Sequence, residues 1–329
     1  MKQLIFCLLM SVLFICPAEA EYYIVMSDDE RIFTAENEHV QRSIASISKI
    51  MTAVICLEYG DYLDQWILDD VVLSVDEKRI YLQPGQQVSM RSLLYGLMLE
   101  SGNDAAVALA KRVGGSVDRF VDLMNKKAEE LGMLNTCFNN PHGLDIVENG
   151  NLSTCFDMAL LMKYAIQNEQ FREIIGTLTY QSEWGSVFHN SNRLLKEFPF
   201  TIGGKTGYTS KAGRTLVTAA QNQDLKLICV TFDLYDHFSF HQTQYVNVFS
   251  TMEKQVLIEV GEYEMLDSIV YVDEPFTVTC SDEELAQAEI RYCLEDDLMI
   301  FQFKLGEYVV SKSYRVSHKK KFCFLRWCL

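Results

Sequence analysis

The spacing of hydrophobic residues predicts strands at the two ends of a long first segment and helices between them. Short apolar runs at 22–26 and 31–35 flank a polar turn and are typical of an antiparallel hairpin. Runs at 200–207, 214–220 and 225–232 alternate with turn residues and predict a three-stranded antiparallel meander. Strands that precede and follow a helical block can join one sheet, so we expect an α/β fold whose sheet collects both ends.

Between these strands, apolar residues recur every three or four positions, which is the period of an amphipathic helix. The predicted helices cover residues 89–98, 104–113, 116–131 and 154–166. Ser89, Ser116 and Thr154 stand at N-cap positions, and Thr154 with Asp157 predicts a capping box. The polar tripeptide at 101–103 falls between the first two helices, so we expect it on a sharp loop.

After residue 249 the pattern changes to short β-rich runs without a long helical stretch. These runs lie at 268–272, 276–280, 288–294, 298–304 and 308–316. We therefore predict a main domain over 21–252 and a small, all-β C-terminal domain over 253–329.

Residues 1–20 are expected to be a secretory signal peptide. Met1-Lys2 gives a basic start, residues 4–15 are apolar apart from Ser11, and Ala18-Glu19-Ala20 is a small-x-small cleavage site. The apolar run is shorter than the roughly 20 residues needed to span a membrane. The pattern therefore predicts cleavage after Ala20 and export.

Composition changes this picture mainly by excluding partners. The chain has 329 residues, 49% hydrophobic and 22% charged, which describes an ordinary globular protein. Its net charge of -16 excludes nucleic acid as a natural partner, because phosphates require a basic surface. The 10 cysteines include no C-x-x-C metal pair, so disulfides and buried free thiols both remain open.

The first candidate for chemistry is Ser46-x-x-Lys49, on a stretch with helical periodicity. Residues three apart project from the same face of a helix, which places a hydroxyl beside an amine. A serine needs a base to become nucleophilic, and lysine serves as one only when its pKa is lowered. Alone, the motif also fits two solvated residues on a surface helix.

Two further polar clusters, Ser101-Gly102-Asn103 and Lys205-Thr206-Gly207, give that motif a context. In acyl transfer, Ser101 would relay a proton to the leaving amine, and Asn103 would hold Lys49 or the substrate carbonyl. Lys205 beside Lys49 would favour the neutral amine of Lys49 through repulsion between like charges.

The strand around Lys205 adds groups that would bind substrate. Lys205 and Thr206 would offer a positive charge and a hydroxyl to a carboxylate, on an edge strand. Gly207 lets a ligand approach the backbone, and the N–H groups of Ser46 and Tyr208 would form an oxyanion hole. A phosphate-binding loop ending at Lys205 is excluded because its first glycine position holds Pro199.

The three clusters, in this order, resemble the penicillin-recognising serine enzymes, and more narrowly the D-alanyl-D-alanine carboxypeptidases of low molecular mass. The matching stretches are IASISKIMTA (44–53), LYGLMLESGNDAA (94–106), NNPHGLD (139–145), NRLL (192–195) and GKTGYTSKAGRTL (204–216). The resemblance covers about residues 22 to 250 and fades in the C-terminal domain.

The resemblance implies a β-lactamase/transpeptidase-like domain, with helices on both faces of an antiparallel sheet and a helical subdomain. It implies an exported enzyme that removes the terminal D-alanine of peptidoglycan stem peptides. Such an enzyme would lie on the extracytoplasmic face of the cell membrane or in the cell wall, or it would be secreted. Acyl-Ser46 would be the intermediate, β-lactams would acylate the same serine, and neither metal nor cofactor would take part.

Two features depart from the family pattern. Many relatives have an arginine after the meander that holds the substrate carboxylate, whereas residues 233–249 contain no arginine. Relatives often end in a long amphipathic membrane anchor, whereas here Lys319-Lys320-Lys321 is followed only by residues 322–329. That tail fits either peripheral membrane contact or a final edge strand.

Two other functions use the same motifs. A serine β-lactamase or esterase shares all three clusters, but the common class of β-lactamase needs a glutamate that activates water, and residues 135–145 contain none. A non-catalytic wall or β-lactam sensor would tolerate loss of Lys49 or Ser101, and both are present. The sequence therefore favours the carboxypeptidase.

Overall fold

The computed structural model describes residues 21–68, 77–145, 150–266 and 268–318. Its strands are β1 Tyr22–Ser27, β2 Ile32–Glu36, β3 Arg42–Ser43, β4 Gln65–Ile67, β5 Gln87–Ser89, β6 Leu152–Ser153, β7 Thr179–Gln181, β8 Val187–His189, β9 Thr201–Thr209, β10 Gly213–Asn222, β11 Leu225–Phe232, β12 Glu253–Ile258, β13 Gly261–Met265, β14 Ser268–Val272, β15 Phe276–Cys280, β16 Glu289–Glu295, β17 Leu298–Leu305 and β18 Tyr308–His318. Its helices are α1 Lys49–Tyr59, α2 Met90–Leu99, α3 Asn103–Gly114, α4 Val117–Glu130, α5 Cys155–Ala165, α6 Glu169–Gly176, α7 Leu194–Glu197, α8 His237–Phe249 and α9 Asp282–Gln287.

One antiparallel sheet joins both ends of the first segment, in the order β2-β1-β11-β10-β9. Strand β1 pairs with β2 and β11, which confirms the N-terminal hairpin, the three-stranded meander and their union in a single sheet. The strand that carries Lys205 lies at the edge of this sheet, as predicted. An edge strand keeps free backbone groups, so a peptide can pair with it.

Helices cover both faces of the sheet because side chains alternate along each strand. On β1, Ile24 and Met26 belong to the large core shared with α1 and α5. Val25, between them, belongs to a second core that includes Tyr245 of α8. The sheet with helices on both faces is therefore confirmed.

Helix α8 was not predicted, although its buried residues have helical spacing. Four of its residues are buried, and they are His237, His241, Tyr245 and Val248. The two histidines hid the apolar period, because a polar ring on a core face reads as a solvent-facing residue. His241 is buried since its ring nitrogens bind the hydroxyls of Thr218 and Thr231, at 2.7 and 3.1 Å.

The predicted N-caps are confirmed. The side chains of Ser89, Ser116 and Thr154 accept hydrogen bonds from backbone N–H groups of the helices that follow. The reciprocal half of the capping box at Thr154 is wrong, because the Asp157 carboxylate turns away. It accepts instead from the Asn135 N–H and the Thr136 hydroxyl, at 2.9 and 2.7 Å.

The residues after 253 form a sheet of order β13-β14-β18-β17-β16 and a separate β12–β15 ladder. They share an apolar core that includes Val270, Phe276 and Phe303. The predicted β runs are confirmed, but β12 and β13 were missed, and the short helix α9 breaks the expected all-β pattern. The division into two domains at residue 253 stays a prediction.

Several expectations concern residues at the ends of the chain. The signal peptide (1–20) and the basic tail (319–329) lie outside the described residues. Among the helices that the structure describes, none is long and apolar enough to cross a membrane. The described cysteines are free thiols: Cys56, Cys137, Cys155, Cys229, Cys280 and Cys293.

Candidate active site

Ser46 and Lys49 stand beside each other, but not on one continuous α-helix. Ser46 lies in a 3-10 turn, Ala45–Ser48, and Lys49 is the first residue of α1. The Lys49 Nζ donates a hydrogen bond to Ser46 Oγ at 3.0 Å. The predicted pairing is confirmed, and the tighter turn lifts Ser46 to the surface while Lys49 stays buried.

Lys49 is held by two further acceptors. Its Nζ donates to Asn103 Oδ1 at 2.8 Å and to the His142 carbonyl at 2.6 Å. The residue is fully buried. Burial lowers the pKa of Lys49 well below 10.5, and the charges of Lys205 and Lys78 lower it further. These are the conditions under which a lysine amine serves as a base.

Loop 139–145 holds Lys49 through the His142 carbonyl, which accepts a hydrogen bond from its amine. His142 is buried, and its Nδ1 accepts from the Leu144 N–H at 3.1 Å. Burial, and then the charge of Lys49, lower the pKa of His142 to about 3. Gly143 has a φ of 86°, and a side chain there would collide with the Ala45 carbonyl. His142 therefore shapes the turn and stays neutral.

Ser101 lies on the predicted loop between α2 and α3. Its side chain is buried, and its Oγ has no hydrogen-bond partner among the described residues. Its φ of 65° is uncommon for a residue with a side chain, and such strain often marks functional loops. The hydroxyl is therefore available to a bound group.

Sequence reasoning missed Asp104, which fixes the opposite wall of the site. Its carboxylate accepts from the N–H groups of Ile80 and Leu82, at 3.0 and 3.1 Å. The Asn103 N–H donates to the Lys78 carbonyl at 2.8 Å. An acid in the first turn of a helix was the available signal, but its partners are distant in sequence.

The Lys205 cluster lies on edge strand β9, directly against the 3-10 turn that carries Ser46. Lys205 Nζ donates to the Thr206 carbonyl at 2.8 Å. Burial, and then the charge of Lys78, lower the pKa of Lys205 to about 7. A Cβ atom at Gly207 would lie 3.0 Å from the Ser46 nitrogen and closer still to Thr215 Oγ1.

The three clusters converge on one cleft of about 840 Å³. Six predicted site residues line it or its floor: Ser46, Ser101, Asn103, Thr206, Gly207 and Tyr208. Lys49 and Lys205 are buried behind this lining. Sequence reasoning did not place Glu77, Lys78 and Arg214 in the cleft wall, where they also lie.

A comparison with known families decides the classification. The family model described as D-alanyl-D-alanine carboxypeptidase matches residues 16–235. The chain belongs to the D-alanyl-D-alanine carboxypeptidase family. The resemblance seen in the sequence motifs is therefore confirmed.

Curated members of the carboxypeptidase family match the same region. The chain is 34% identical over 218 residues to carboxypeptidase DacF of Bacillus subtilis, covering 64% of this chain and 56% of DacF. It is 36% identical over 216 residues to DacD of Escherichia coli, covering 61% and 54%. The chain thus spans about half the length of the curated relatives it matches.

Solved structures of the carboxypeptidase family confirm the predicted fold class. Penicillin binding protein 5 of Haemophilus influenzae superposes with a TM-score of 0.77 at 25% identity, covering 91% of this chain and 97% of that one. Penicillin-binding protein D2 of Listeria monocytogenes, solved in a cefotaxime-bound form, gives 0.62 at 26% identity, covering 69% and 95%. Both superpositions support a penicillin-binding-protein fold for this chain.

Proposed function

We propose that the protein is a serine-type D-Ala-D-Ala carboxypeptidase that removes the terminal D-alanine from peptidoglycan stem peptides. The observation that carries this proposal is the position of Lys49 Nζ, which lies within 3.0 Å of Ser46 Oγ in a cleft shared with Ser101 and Thr206. Family membership supports the same reaction.

Acylation follows from these contacts. Neutral Lys49 keeps its two N–H donations, to Asn103 Oδ1 and to the His142 carbonyl, and turns its lone pair to Ser46. That lone pair accepts the Ser46 proton while Ser46 Oγ bonds to the carbonyl carbon of the penultimate D-alanine. The tetrahedral species then collapses, and the C–N bond to the terminal D-alanine breaks. Ser101, whose hydroxyl has no hydrogen-bond partner in the described parts of the chain, passes a proton from Lys49 to the leaving amine.

Deacylation uses the same base. A water molecule loses a proton to Lys49 and bonds to the acyl carbon, and Ser46 leaves and recovers a proton. The backbone N–H groups of Ser46 and Tyr208 stabilise the oxyanion in both steps. Loss of one such donor typically costs about 3 to 4 kcal/mol. Neither a metal nor a cofactor is required by this scheme.

The substrate's terminal carboxylate lies at β9, in this proposal. The Thr206 hydroxyl bonds to Ser191 at 2.9 Å, which holds it at the cleft wall. The side chain of Lys205, on the same strand, is buried, and an arriving carboxylate would favour its charged form. The Asn103 amide, which binds Lys49, also reaches the cleft that holds the penultimate residue.

The substrate also fixes where the enzyme would work. Peptidoglycan is outside the cytoplasmic membrane, which agrees with the predicted signal peptide. The enzyme would therefore work on the extracytoplasmic face of the cell membrane, in the cell wall or in secreted form. The basic tail would add peripheral membrane contact. β-Lactams, which also present an acyl carbonyl and a carboxylate, would acylate Ser46.

Release of D-alanine from diacetyl-Lys-D-Ala-D-Ala is the direct test. The purified chain from residue 21 should release D-alanine, and Ser46→Ala should reduce the rate to background. Ser48→Ala is the matched control, because the Ser48 hydroxyl donates to the Ala45 carbonyl and Ser48 does not line the cleft. Activity that survives in Ser46→Ala would contradict the proposal.

The β-lactamase alternative is separated by the fate of the penicilloyl adduct. Loop 135–145 contains no glutamate, so the adduct should persist. Glu77 is the glutamate side chain that does line the cleft. Fast penicillin turnover that disappears in Glu77→Gln, without release of D-alanine, would favour the β-lactamase.

A further inference from the structure

The proposed reaction needs a cation for the substrate's terminal carboxylate, and the expected arginine after the meander is missing. Lys205 answers this need only in part. It is 1% exposed, and its Nζ already donates to the Thr206 carbonyl. A second cation that faces the cleft would complete the site.

Arg214 has the required position on the neighbouring strand. In the β9–β10 ladder, Arg214 pairs with Tyr208 and Leu216 pairs with Thr206. Residues two apart on a strand share a face, so the Arg214 and Thr206 side chains lie on the same face as diagonal neighbours. Such neighbours are about 7–8 Å apart, within reach of a long side chain. Arg214 is exposed and lines the cleft.

The Arg214 guanidinium is held in place without being neutralised. Its Nη1 donates to the Tyr235 carbonyl at 3.2 Å, and its Cζ lies 4.4 Å from the Tyr235 ring centroid. Within the described residues, no carboxylate forms an ion pair with it. The acid in the same wall, Asp233, is paired instead with Arg42 at 3.1 Å.

A second arginine near the cleft, Arg193, already forms an ion pair with a carboxylate. Arg193 stacks over Phe238, which lines the same wall, with its Cζ 4.8 Å from the ring centroid. Its Nε is paired with Glu197 at 3.1 Å. Arg193 therefore provides a matched control, because it has the same charge and lies beside the same wall but already has an acid partner.

We propose that Arg214, together with Thr206, binds the terminal carboxylate of the substrate in place of the missing arginine. The inference rests on the proposed function. A guanidinium offers two parallel N–H donors that fit the two oxygens of a carboxylate.

Two substrates that differ only at the carboxylate test this role. Diacetyl-Lys-D-Ala-D-Ala is compared with its C-terminal amide in wild type, Arg214→Ala, Arg214→Lys and Arg193→Ala. Arg214→Ala should raise KM for the acid by about tenfold or more, the factor that about 1.4 kcal/mol represents, while kcat changes little. KM for the amide should not change, and Arg214→Lys should recover part of the loss.

Three results would overturn the inference. They are an equal loss on acid and amide, an unchanged KM for the acid in Arg214→Ala, and the same loss in Arg193→Ala.

Calorimetric binding of the acid to Ser46→Ala and to Ser46→Ala/Arg214→Ala gives a readout that does not need catalysis, and the double variant should bind about tenfold more weakly. If wild type releases D-alanine and Arg214→Ala has the same KM for the acid, this inference alone fails. If wild type releases none and Ser46→Ala binds no acid, the proposed function fails with it.

Discussion

At the scale of single residues, the site is organised around two buried lysines. A buried ammonium is costly, so burial shifts both side chains toward the neutral amine. For Lys49, that shift favours the neutral amine that the proposed mechanism uses as a base beside Ser46. For Lys205, burial lowers the pKa to about 7, so that the amine is only partly charged near neutral pH. A bound carboxylate would restore its positive charge.

Lys205→Met should stabilise the fold and weaken substrate binding. The folded pKa of about 7 lies below the ordinary 10.5, so the cost of burying the charge is fully present below pH 7 and fades as pH rises toward 10.5. The difference corresponds to at most about 5 kcal/mol. Urea unfolding should therefore show a larger gain at pH 6 than at pH 9.5.

Lys196→Met is the control for this prediction, because Lys196 is exposed and its charge remains in water. It should change neither stability nor its pH dependence by a comparable amount. A Lys205→Met protein that is less stable than wild type at pH 6 would show that the buried amine contributes more than it costs.

The presence of single residues at the cleft was predictable from the sequence only where a motif contains them. Ser46, Lys49 and Lys205 stood out because hydroxyls and amines recur in a known order. Asp104 and Arg214 did not stand out, because their partners, Ile80 and Tyr235, become neighbours only when the chain folds.

At the scale of elements, the close contact between β9 and the 3-10 turn determines the geometry of the site. Gly207 permits this contact, since a side chain would press on the Ser46 nitrogen and on Thr215 Oγ1. The same contact sets the strand that carries one proposed oxyanion donor against the turn that carries the other.

Gly207→Ala should therefore slow acylation of Ser46 more than it destabilises the protein. Moving β9 away misplaces an oxyanion donor, which typically costs 10² to 10³ in rate. The rate of labelling by a fluorescent penicillin measures this effect. Gly261→Ala, where the nearest atom to the new Cβ is 3.7 Å away, is the matched control and should label at the wild-type rate. Equal rates for both variants would contradict the prediction.

Elements were predictable where local chemistry defines them. The caps at Ser89 and Ser116 and the three strands of the meander follow from turn residues and periodicity alone. Helix α8 does not, because its buried face is half histidine and depends on hydroxyls of β10 and β11. Strands β12 and β13 contain exposed charged residues and lack a clear apolar period.

At the scale of the whole molecule, a polar contact joins the β1–β2 turn to the C-terminal strands. The Asp29 carboxylate accepts from the Thr279 hydroxyl at 2.9 Å and from the Tyr308 hydroxyl at 2.9 Å. Beside it, Arg31 pairs with Glu284 of α9 at 2.6 Å. Such contacts between distant residues have no signature in the sequence.

Asp29→Asn should loosen the C-terminal strands without changing catalysis. Burial alone would raise the pKa of Asp29, but Lys254 and three hydroxyl donors outweigh it and lower the pKa below 3.8. Its stabilising effect is therefore complete above pH 4 and is lost as pH falls through the lowered value. At pH 7, the free energy of unfolding of Asp29→Asn should be about 1 to 3 kcal/mol lower than that of wild type.

Scanning calorimetry of the full chain measures this loss. Asp224→Asn, in the exposed turn between β10 and β11, is the control and should behave as wild type. A loss of D-alanine release in Asp29→Asn at a temperature where it remains folded would show that the C-terminal strands take part in the reaction.

The central claim, that Ser46 activated by Lys49 is the acylated nucleophile, is tested most directly by locating the adduct. The protein is incubated with a penicillin, quenched in acid and digested, and the peptides are sequenced by tandem mass spectrometry. The penicilloyl mass should lie on Ser46 at one equivalent, and Lys49→Ala should reduce its rate of formation by several orders of magnitude. An adduct on Ser101 or any other residue, or undiminished labelling of Lys49→Ala, would contradict the claim.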